Sequence, residues 1–476
     1  MPRPPRKSRR NLRPGRRLES RPIREKGVII TLVAMCMVGF VGAMAAFSID
    51  IVTLYTARSE AQLAADGGAL AGARVLANSG MTSMSSTSDT AVGLNAKSIA
   101  IAVATQVASN NMVGGRNLNG GAATCTAEIC VTVNTGASDF VADPQVTVTV
   151  QRTDLPTFFA RIWGRTAFTV KASATAEAYN PSSLQGTGGG PGLPIAPLCV
   201  KPWLLPNKSP NPGPTSPEIF DPATGAILDT NLLGWVSPPT LRTECSGAGG
   251  TTTDCLPLGS NPPTAWRYYP GTTDPATGSF PAPATTSCTG CGAFTDYERS
   301  IAGCVPQPIS CNSQVNIDTN NYPNRNAETG PAVNNLTHAA AALNSGDSVD
   351  TVGTPQAGSE PFQFFAGTDN PVVQSGALSS GATVMISDSL VTVPVIDTSS
   401  PAFWPGTYPN NVQIIGFVQL FLNPTGAAAP TSGPTSGHID TQVINLVGCG
   451  DSTGQVTGTT ILGNGASAVA VRLVAP

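Results

Sequence analysis

Histidine is nearly absent from this chain: two in 476 residues, His338 and His438. Neither stands at a spacing from a Cys, a Ser or a carboxylate that names a reaction, so histidine-based catalysis and histidine metal centres lack a sequence basis. Charge is scarce too, at 12% Asp, Glu, Lys and Arg. Glycine is plentiful, at 50 residues, yet no Walker-type or dinucleotide-binding glycine motif occurs among them. The glycines go with turns. Catalytic, cofactor-binding and metal-binding residues are therefore none, and the chain is expected not to be an enzyme.

What is present is one long uncharged run. Gly27 to Ile49, GVIITLVAMCMVGFVGAMAAFSI, is 23 residues, about 34 Å as a helix and enough to cross a bilayer. Asp50 ends the run, but DIVTLYTARSEAQLAADGGALAGARVLA continues with helix-forming residues. The expectation is one long helix, half in lipid and half in water.

Charge is distributed unevenly about that span. Residues 1–26 hold 11 Lys and Arg against Glu19 and Glu25, a net of +9, whereas the remaining 450 residues hold 15 against 27, a net of −12. The asymmetry predicts a basic cytoplasmic segment at 1–26, a transmembrane helix at 27–49 and everything after Asp50 outside. A basic run could instead bind nucleic acid, but its place directly before the span favours the topological reading, with attraction to anionic lipid. No nucleic acid partner is expected. Three processing alternatives compete with a retained anchor. Ala43-Met44-Ala45 before Ala46 would suit signal-peptide cleavage, although the apolar run exceeds the usual core length. Lys26-Gly27 is similar to a prepilin-peptidase junction but carries Leu32 where prepilins have Glu. Ser8-Arg9-Arg10-Asn11-Leu12 is similar to a twin-arginine signal but lies far from the apolar core. The anchor is retained.

The soluble half of the helix has a distinctive surface. Ala57, Ala61, Ala65, Ala69, Ala73 and Ala77 recur at every fourth position, with Gly67, Gly68 and Gly72 beside them. Such a row forms a ridge of small side chains that lets a second helix or a sheet approach closely. The plainer alternative is that alanine is simply the best helix former. Three glycines within six residues argue against it, since each costs about 1 kcal/mol relative to alanine in a helix interior.

At these residues the sequence resembles a known family. A basic stretch, a glycine, an apolar span ending in an aspartate, then Tyr, Arg and Gln ahead of AADxxALAGA is an order similar to the TadE/TadG-like N-terminal domain of Flp pilus-assembly proteins of the tight-adherence system. The corresponding positions are Gly27, Asp50, Tyr55, Arg58, Gln62, Ala64, Ala65, Asp66, Ala69, Leu70, Ala71, Gly72 and Ala73. Val52 and Thr53 replace a glycine usual after the membrane aspartate, and Gly67-Gly68 replaces an alanine pair. The resemblance implies a single-pass protein of the bacterial inner membrane whose partners are other pilus or secretion apparatus proteins.

Beyond the anchor, Ser79 to Asp89 reads as a Ser/Thr-rich link, and Asp89 or Thr90 can cap a second helix, AVGLNAKSIAIAVATQVA, stopped by Asn110, Asn111 and Gly114. Val146, Val148 and Val150 alternate with polar residues in QVTVTVQR, as in a half-buried strand. PTFFARIW is expected to form one or two helical turns closed by Gly164. Phe168, Val170, Ala172, Ala174, Ala176 and Ala178 then alternate with Thr169, Lys171, Ser173, Thr175, Glu177 and Tyr179, giving a strand with a small-residue face. A long helix laid on an antiparallel sheet is the plan of pilins and pseudopilins. Residues 50–180 are accordingly expected to be a pilin-like α+β domain, followed by a Gly/Pro/Ser linker at 181–195.

Residues 196–476 form the remaining extracytoplasmic region, Pro- and Cys-rich at first and β-rich later. Residues 181–330 hold 23 of the chain's 42 prolines, and the DPATG motif at 221–225 recurs at 274–278 as a turn. Little periodic apolar content is available there for a core. Cysteine supplies the substitute. Cys36 lies in the span and is expected to be the free thiol. Cys125, Cys130, Cys199, Cys245, Cys255, Cys288, Cys291, Cys304, Cys311 and Cys449 lie outside, an even number in an oxidising compartment, and so are disulfide candidates. Cys125 is expected to pair with Cys130, the cysteines from Cys245 to Cys311 mostly with one another, and Cys199 with Cys449 as a clasp. The competing reading is zinc at Cys288-Thr289-Gly290-Cys291 with Cys304 and Cys311, against the usual spacing.

In the last third, AVNNLTHAAAALN reads as a short helix carrying His338 on its alanine face, while SDSLVTVPVID, NVQIIGFVQLFLN, TQVINLVG and ASAVAVRLV read as strands. Val412, Ile414, Val418, Leu420 and Leu422 on one face, with Ile415, Phe417 and Phe421 on the other, predict a central strand covered on both sides. The fold class is α+β, helix first and β-rich later. Asp397-Thr398-Ser399-Ser400 begins like a metal-ion-dependent adhesion motif, but Pro401 stands where the third hydroxyl belongs, and the motif is rejected. Two functions follow: a membrane-anchored structural or assembly component of a Flp-type pilus, or an exported surface protein whose disulfide-braced region binds a ligand or hydrolyses a polymer.

Overall fold

One uninterrupted helix, α1 (Glu25–Asn78), carries the chain from the apolar run into the part of the sequence that folds in water. At 54 residues it is about 81 Å long. The computed structural model describes residues 25–83, 90–119, 127–134, 144–182, 195–207, 218–229, 232–233, 236–241, 267–268, 271–272, 280–281, 293–306, 308–316, 326–339, 349–353, 362–397, 411–433, 439–449, 461–462 and 467–474. The basic segment at 1–24 and most of the linker expected at 181–195 lie outside the described residues. The chain divides into two compact units, Met1–Thr56 with Asp154–Phe168, and Ala57–Thr153 with Thr169–Pro476.

The first half of α1 buries almost nothing. Val28, Ile30, Phe40 and Met44 are each more than half exposed, where burial of such side chains would gain about 1.5–3 kcal/mol apiece. This helix is long and apolar enough to cross a membrane, and a bilayer removes that apolar surface from water. The Ser48 hydroxyl donates to the Met44 carbonyl at 2.7 Å, so the span carries its hydroxyl satisfied.

In the second unit, α2 (Thr90–Asn110) is followed by three strands, β1 (Ile129–Asn134), β2 (Gln145–Pro156) and β3 (Ala167–Tyr179), in the order β3-β2-β1. β1 and β2 are antiparallel, with Ile129 opposite Val150 and Val133 opposite Val146. Period-two patterning sets the two faces. Val146, Val148 and Val150 on β2 and Ala172, Ala174, Ala176 and Ala178 on β3 are buried. On the other face, Thr147 meets Thr175 at 2.9 Å and Thr149 meets Ser173 at 3.0 Å, hydroxyl pairs that tie the strands side by side. Between β2 and β3 a 3-10 turn, Ala160–Trp163, ends at Gly164, whose φ of 79° requires the left-handed region.

The chain then builds a larger sheet from β4 (Trp203–Pro206), β5 (Val236–Leu241), β6 (Arg267–Tyr268), β7 (Gln314–Asn316), β8 (Leu390–Ile396), β9 (Asn411–Leu422) and β10 (Ile439–Gly448), in the order β5-β10-β9-β8-β4-β6 with β7 on β9. β9 is interior, antiparallel to both β8 and β10. Two helices, α3 (Asp296–Ala302) and α4 (Asn326–Leu336), contribute Tyr297, Ile301, Ala332 and Val333 to the core that also holds Val393, Val418, Leu420 and Leu446. On the opposite side, Phe421, Leu390 and Ile444 pack with Phe362, Phe364 and Val384 from a three-stranded sheet of Thr351–Gly353, Gln363–Phe365 and Thr383–Val384. The last strand, β11 (Ala470–Val474), returns to pair antiparallel with β3, completing the order β11-β3-β2-β1.

Three expectations are corrected here. Ile415 shares a core with Val418 and Leu420, instead of facing away from them. A register shift sets Val395 opposite Gly416 and Ile396 opposite Ile414, leaving Ile415 as the extra residue of a bulge, and a bulge reverses the alternation. The helix expected at AVNNLTHAAAALN starts earlier, at Asn326, and stops at Leu336; His338 lies past its end with φ of 58°. Thr337 donates to the Val333 carbonyl and Ala339 to that of Asn334, closing the helix before the alanine run can extend it.

The cysteine pairing is the third correction. Cys199 is bonded to Cys304, and Cys449 to Cys311, in place of a Cys199–Cys449 clasp. The reason lies in backbone pairing. Cys199 donates to Val305, Ile309 to Pro197 and Cys311 to Ile195, so the segments at 195–199 and 305–311 run side by side and deliver Cys199 to Cys304. Asn312 to Ile414 and Cys449 to Ile415 then bring the end of β10 to Cys311. Cys304 and Cys311 therefore pair outside the group from Cys245 to Cys311. Cys130 is also disulfide-bonded, and Cys36 is a free, exposed thiol. Cys125, Cys245, Cys255, Cys288 and Cys291 lie outside the described residues.

Candidate functional site

The anchor helix and the surfaces it meets are the part of the molecule with functional information. Within the second unit, Ala61, Ala65, Ala69, Ala73 and Ala77 have no exposed surface and Ala57 has 1%. Facing them, α2 carries its own small row: Ala96, Ala100, Ala104 and Ala108, again four apart, are fully buried. A Cβ on Gly68 would lie 3.0 Å from the Ala104 carbonyl oxygen and 3.2 Å from the Ala108 Cβ. On Gly72 it would lie 2.8 Å from Val146 Cγ1 on β2 and 3.2 Å from the Ala104 Cβ. A methyl group at Gly72 would force Val146 to shift, and one at Gly68 would crowd the Ala104 backbone. Two small ridges thus bring the helices together at backbone distance and press α1 onto the valines of β2.

Asp50 occupies a different environment, within the first unit. Its carboxylate is 5% exposed and accepts the backbone N–H groups of Phe158 at 2.9 Å, Phe159 at 3.1 Å and Ala160 at 2.7 Å. Those N–H groups open the 3-10 turn at Ala160–Trp163, where no side chain of the turn caps them. Asp50 is the cap, supplied from another element 108–110 residues away. The loop is braced further by Thr157, whose hydroxyl donates to the Arg165 carbonyl at 2.7 Å.

The remaining motif positions divide by exposure. Ala64 and Gly72 are buried with the ridge, Asp66, Leu70 and Ala71 are half-buried, and Tyr55, Arg58 and Gln62 are exposed. Gln62 reaches both the Asp66 carboxylate at 2.8 Å and the Ser173 carbonyl on β3 at 3.3 Å. Gly27 lies in the first turn of α1. Glu60 accepts the N–H of Gly114 at 2.6 Å, fixing the turn after α2.

The sequence reading missed a buried polar network at the far end of α1. Asn445 on β10 donates to the Ala77 carbonyl at 2.7 Å and to the Gln419 side chain. Ser83 donates to the Leu446 carbonyl at 2.9 Å and accepts its N–H at 3.0 Å, while Asn180 donates to the carbonyls of Thr82 at 3.1 Å and Leu446 at 3.0 Å. Asn445 thereby satisfies the Ala77 carbonyl in the last turn of the helix, where no intrahelical partner remains. These groups also join the helix end to the central sheet.

Away from the anchor, Lys201 and His338 are shifted in opposite directions. Lys201 is buried, and its Nζ donates to the carbonyls of Ile301 at 2.6 Å and Gly303 at 2.8 Å. Burial pulls its ammonium down to about 7, against the opposing charge of Asp388. His338 Nε2 lies 3.1 Å from Asp388, and that hydrogen bond raises the imidazole above its ordinary value. His438 and residues 398–400 lie outside the described residues. The cavity beside the end of α1 is lined by Arg74, Asn78, Ser387, Gln419 and Ser467 among others, with no carboxylate, thiol or imidazole among the described residues of its wall. Among the described residues no group of three or more His, Cys, Asp or Glu side chains is arranged to hold a metal ion.

Residues 27–75 match the family described as "Putative Flp pilus-assembly TadE/G-like". The matched span begins at the start of the apolar run and ends within the alanine ridge, so it covers both the anchor and its packing face. No curated protein and no solved structure shows a significant match to the chain.

Proposed function

We propose that this chain is a non-enzymatic, membrane-anchored structural or assembly component of a Flp-type pilus or tight-adherence apparatus, with residues 1–26 in the cytoplasm, 27–49 in the inner membrane and the remainder outside. The observation that carries the reading is the family match at 27–75, laid over one helix that changes at Asp50 from exposed apolar side chains to a buried small-residue ridge. The charge asymmetry about the span supports the orientation. The helix pressed on β2 supports a pilin-like arrangement, in which the anchor is also a core element of the outer domain. Disulfides at Cys199–Cys304 and Cys311–Cys449 suit an oxidising compartment. The partners are other proteins of the apparatus.

The test is a deletion strain with affinity-tagged complementation. Loss of surface pili or of adherence on deletion, and recovery of apparatus proteins with the tagged chain from solubilised membranes, is the expected outcome. Normal piliation together with the absence of apparatus proteins from the purified material would refute the assignment.

A further inference from the structure

The loop held by Asp50 has a surface that water alone does not explain. Phe158 is 60% exposed although the turn around it is well braced, and Arg161 and Arg165 are exposed beside it. Asp50 is the first residue after the apolar run, and its carboxylate bonds to the N–H groups of residues 158–160 fix the loop at that level of the helix. On α1 itself Phe47, Ile51 and Val52 are exposed just before and after it, so the helix near Asp50 and the loop each carry exposed apolar side chains. Residues 157–168 hold no Asp or Glu, and the nearest carboxylate in the chain is Asp154 at the end of β2; the charge of Asp50 is spent on the three N–H groups. Aromatic side chains beside basic ones, at the point where a span leaves hydrocarbon, have the chemistry of the headgroup zone.

Resting on the reading of residues 27–49 as a membrane anchor, we infer that residues 157–168 form a second membrane contact, with Phe158 set into the interface and Arg161 and Arg165 against the phosphates of anionic lipid in the leaflet where the span exits. Asp50 is then a positioning residue: it holds the loop on the bilayer, and the bilayer-facing groups are those of the loop. A helix fastened at its exit point by a lipid-seated loop has its tilt and rotation restricted, which a bare span lacks.

The test uses the full chain in vesicles, with a photo-crosslinking phenylalanine analogue placed at Phe40, at Phe158 or at Met112, an exposed residue of the second unit. Lipid adducts are counted by mass spectrometry in phosphatidylcholine alone and with added phosphatidylglycerol. Adducts at positions 40 and 158 but not 112 are expected. The yield at 158 should rise with the anionic lipid and fall with salt, and Arg161→Gln with Arg165→Gln should remove that rise, roughly fivefold for each arginine. Adducts at 40 with none at 158 would overturn this inference alone. None at either position would overturn the anchor reading beneath it. A yield at 158 indifferent to lipid charge would overturn the role of the arginines.

Discussion

The alanine-lined helices and the central sheet around β9 are held together by opposite means. Around α1 and α2 the side chains are nearly as small as side chains can be, and stability comes from close approach: a Cβ at Gly72 would displace Val146, and one at Gly68 would crowd the Ala104 carbonyl. Around β9 the side chains are large. Phe417, Phe421, Tyr297 and Phe220 are fully buried, Phe421 stacks on Phe364 at 5.3 Å, and two disulfides close loops of 105 and 138 residues. The first kind of packing depends on the absence of bulk and should fail when atoms are added. The second depends on bulk and cross-links, and should fail when atoms are removed.

The largest effect expected from that contrast is at Phe421. Phe421→Ala should destabilise the central sheet by about 3–5 kcal/mol, measured by urea unfolding of the detergent-solubilised chain. Replacing Cys311 and Cys449 by alanine should follow, with a loss of about 2–4 kcal/mol. The opposite substitutions sharpen the comparison on the helical side: Ala69→Leu or Gly72→Val should cost about 1–3 kcal/mol through overpacking, although both raise apolar content. A variant as stable as the original chain would mean the ridge is not closely packed. Asp50→Ala, which strips the cap from three N–H groups, should loosen the loop at 157–168, read as faster hydrogen exchange there, with Asp50→Asn recovering part of the protection.

The last expected effect is the dependence on pH. Lys201 has a folded value of about 7, below its unfolded value, so between those two values the unfolded chain binds the extra proton and stability rises with pH. Unfolding midpoints should therefore climb from pH 7 towards 10, and Lys201→Met should flatten that climb. His338 acts in the reverse sense. Its folded value is raised by Asp388, so its contribution is complete below its unfolded value and is lost as pH rises through the folded one. His338→Ala should cost more at pH 5.5 than at pH 8, by a margin that solvent exposure of the pair keeps small.

How far the sequence announced these features depended on whether their signal was local. The span, the continuation of the helix past Asp50 and the strands at β2, β3 and β9 are written in periodicity and run length, which a chain shows residue by residue. The alanine row of α2, at positions 96, 100, 104 and 108, carries the same four-residue signal as that of α1 and is equally local. Asp50 was legible as a motif residue without a job, because its partners are backbone N–H groups more than 100 residues away and leave no side-chain signature. The amide network of Asn180, Gln419 and Asn445 was hidden for the same reason. Cysteine pairing depends on which strands run side by side, so Cys199 could not be assigned to Cys304 before the pairing of 195–199 with 305–311 was known. At His338, helix propensity pointed one way and a left-handed residue at the helix end decided the other.

The central claim is that one helix both anchors the chain and enters its outer domain. A reporter active only outside the cytoplasm, fused after Ala77, tests it most directly when activity is assayed in membranes washed with alkaline carbonate. The account predicts an active reporter that stays with the membrane. An inactive reporter, or an active one released as a soluble product beginning near Ala46, would contradict it.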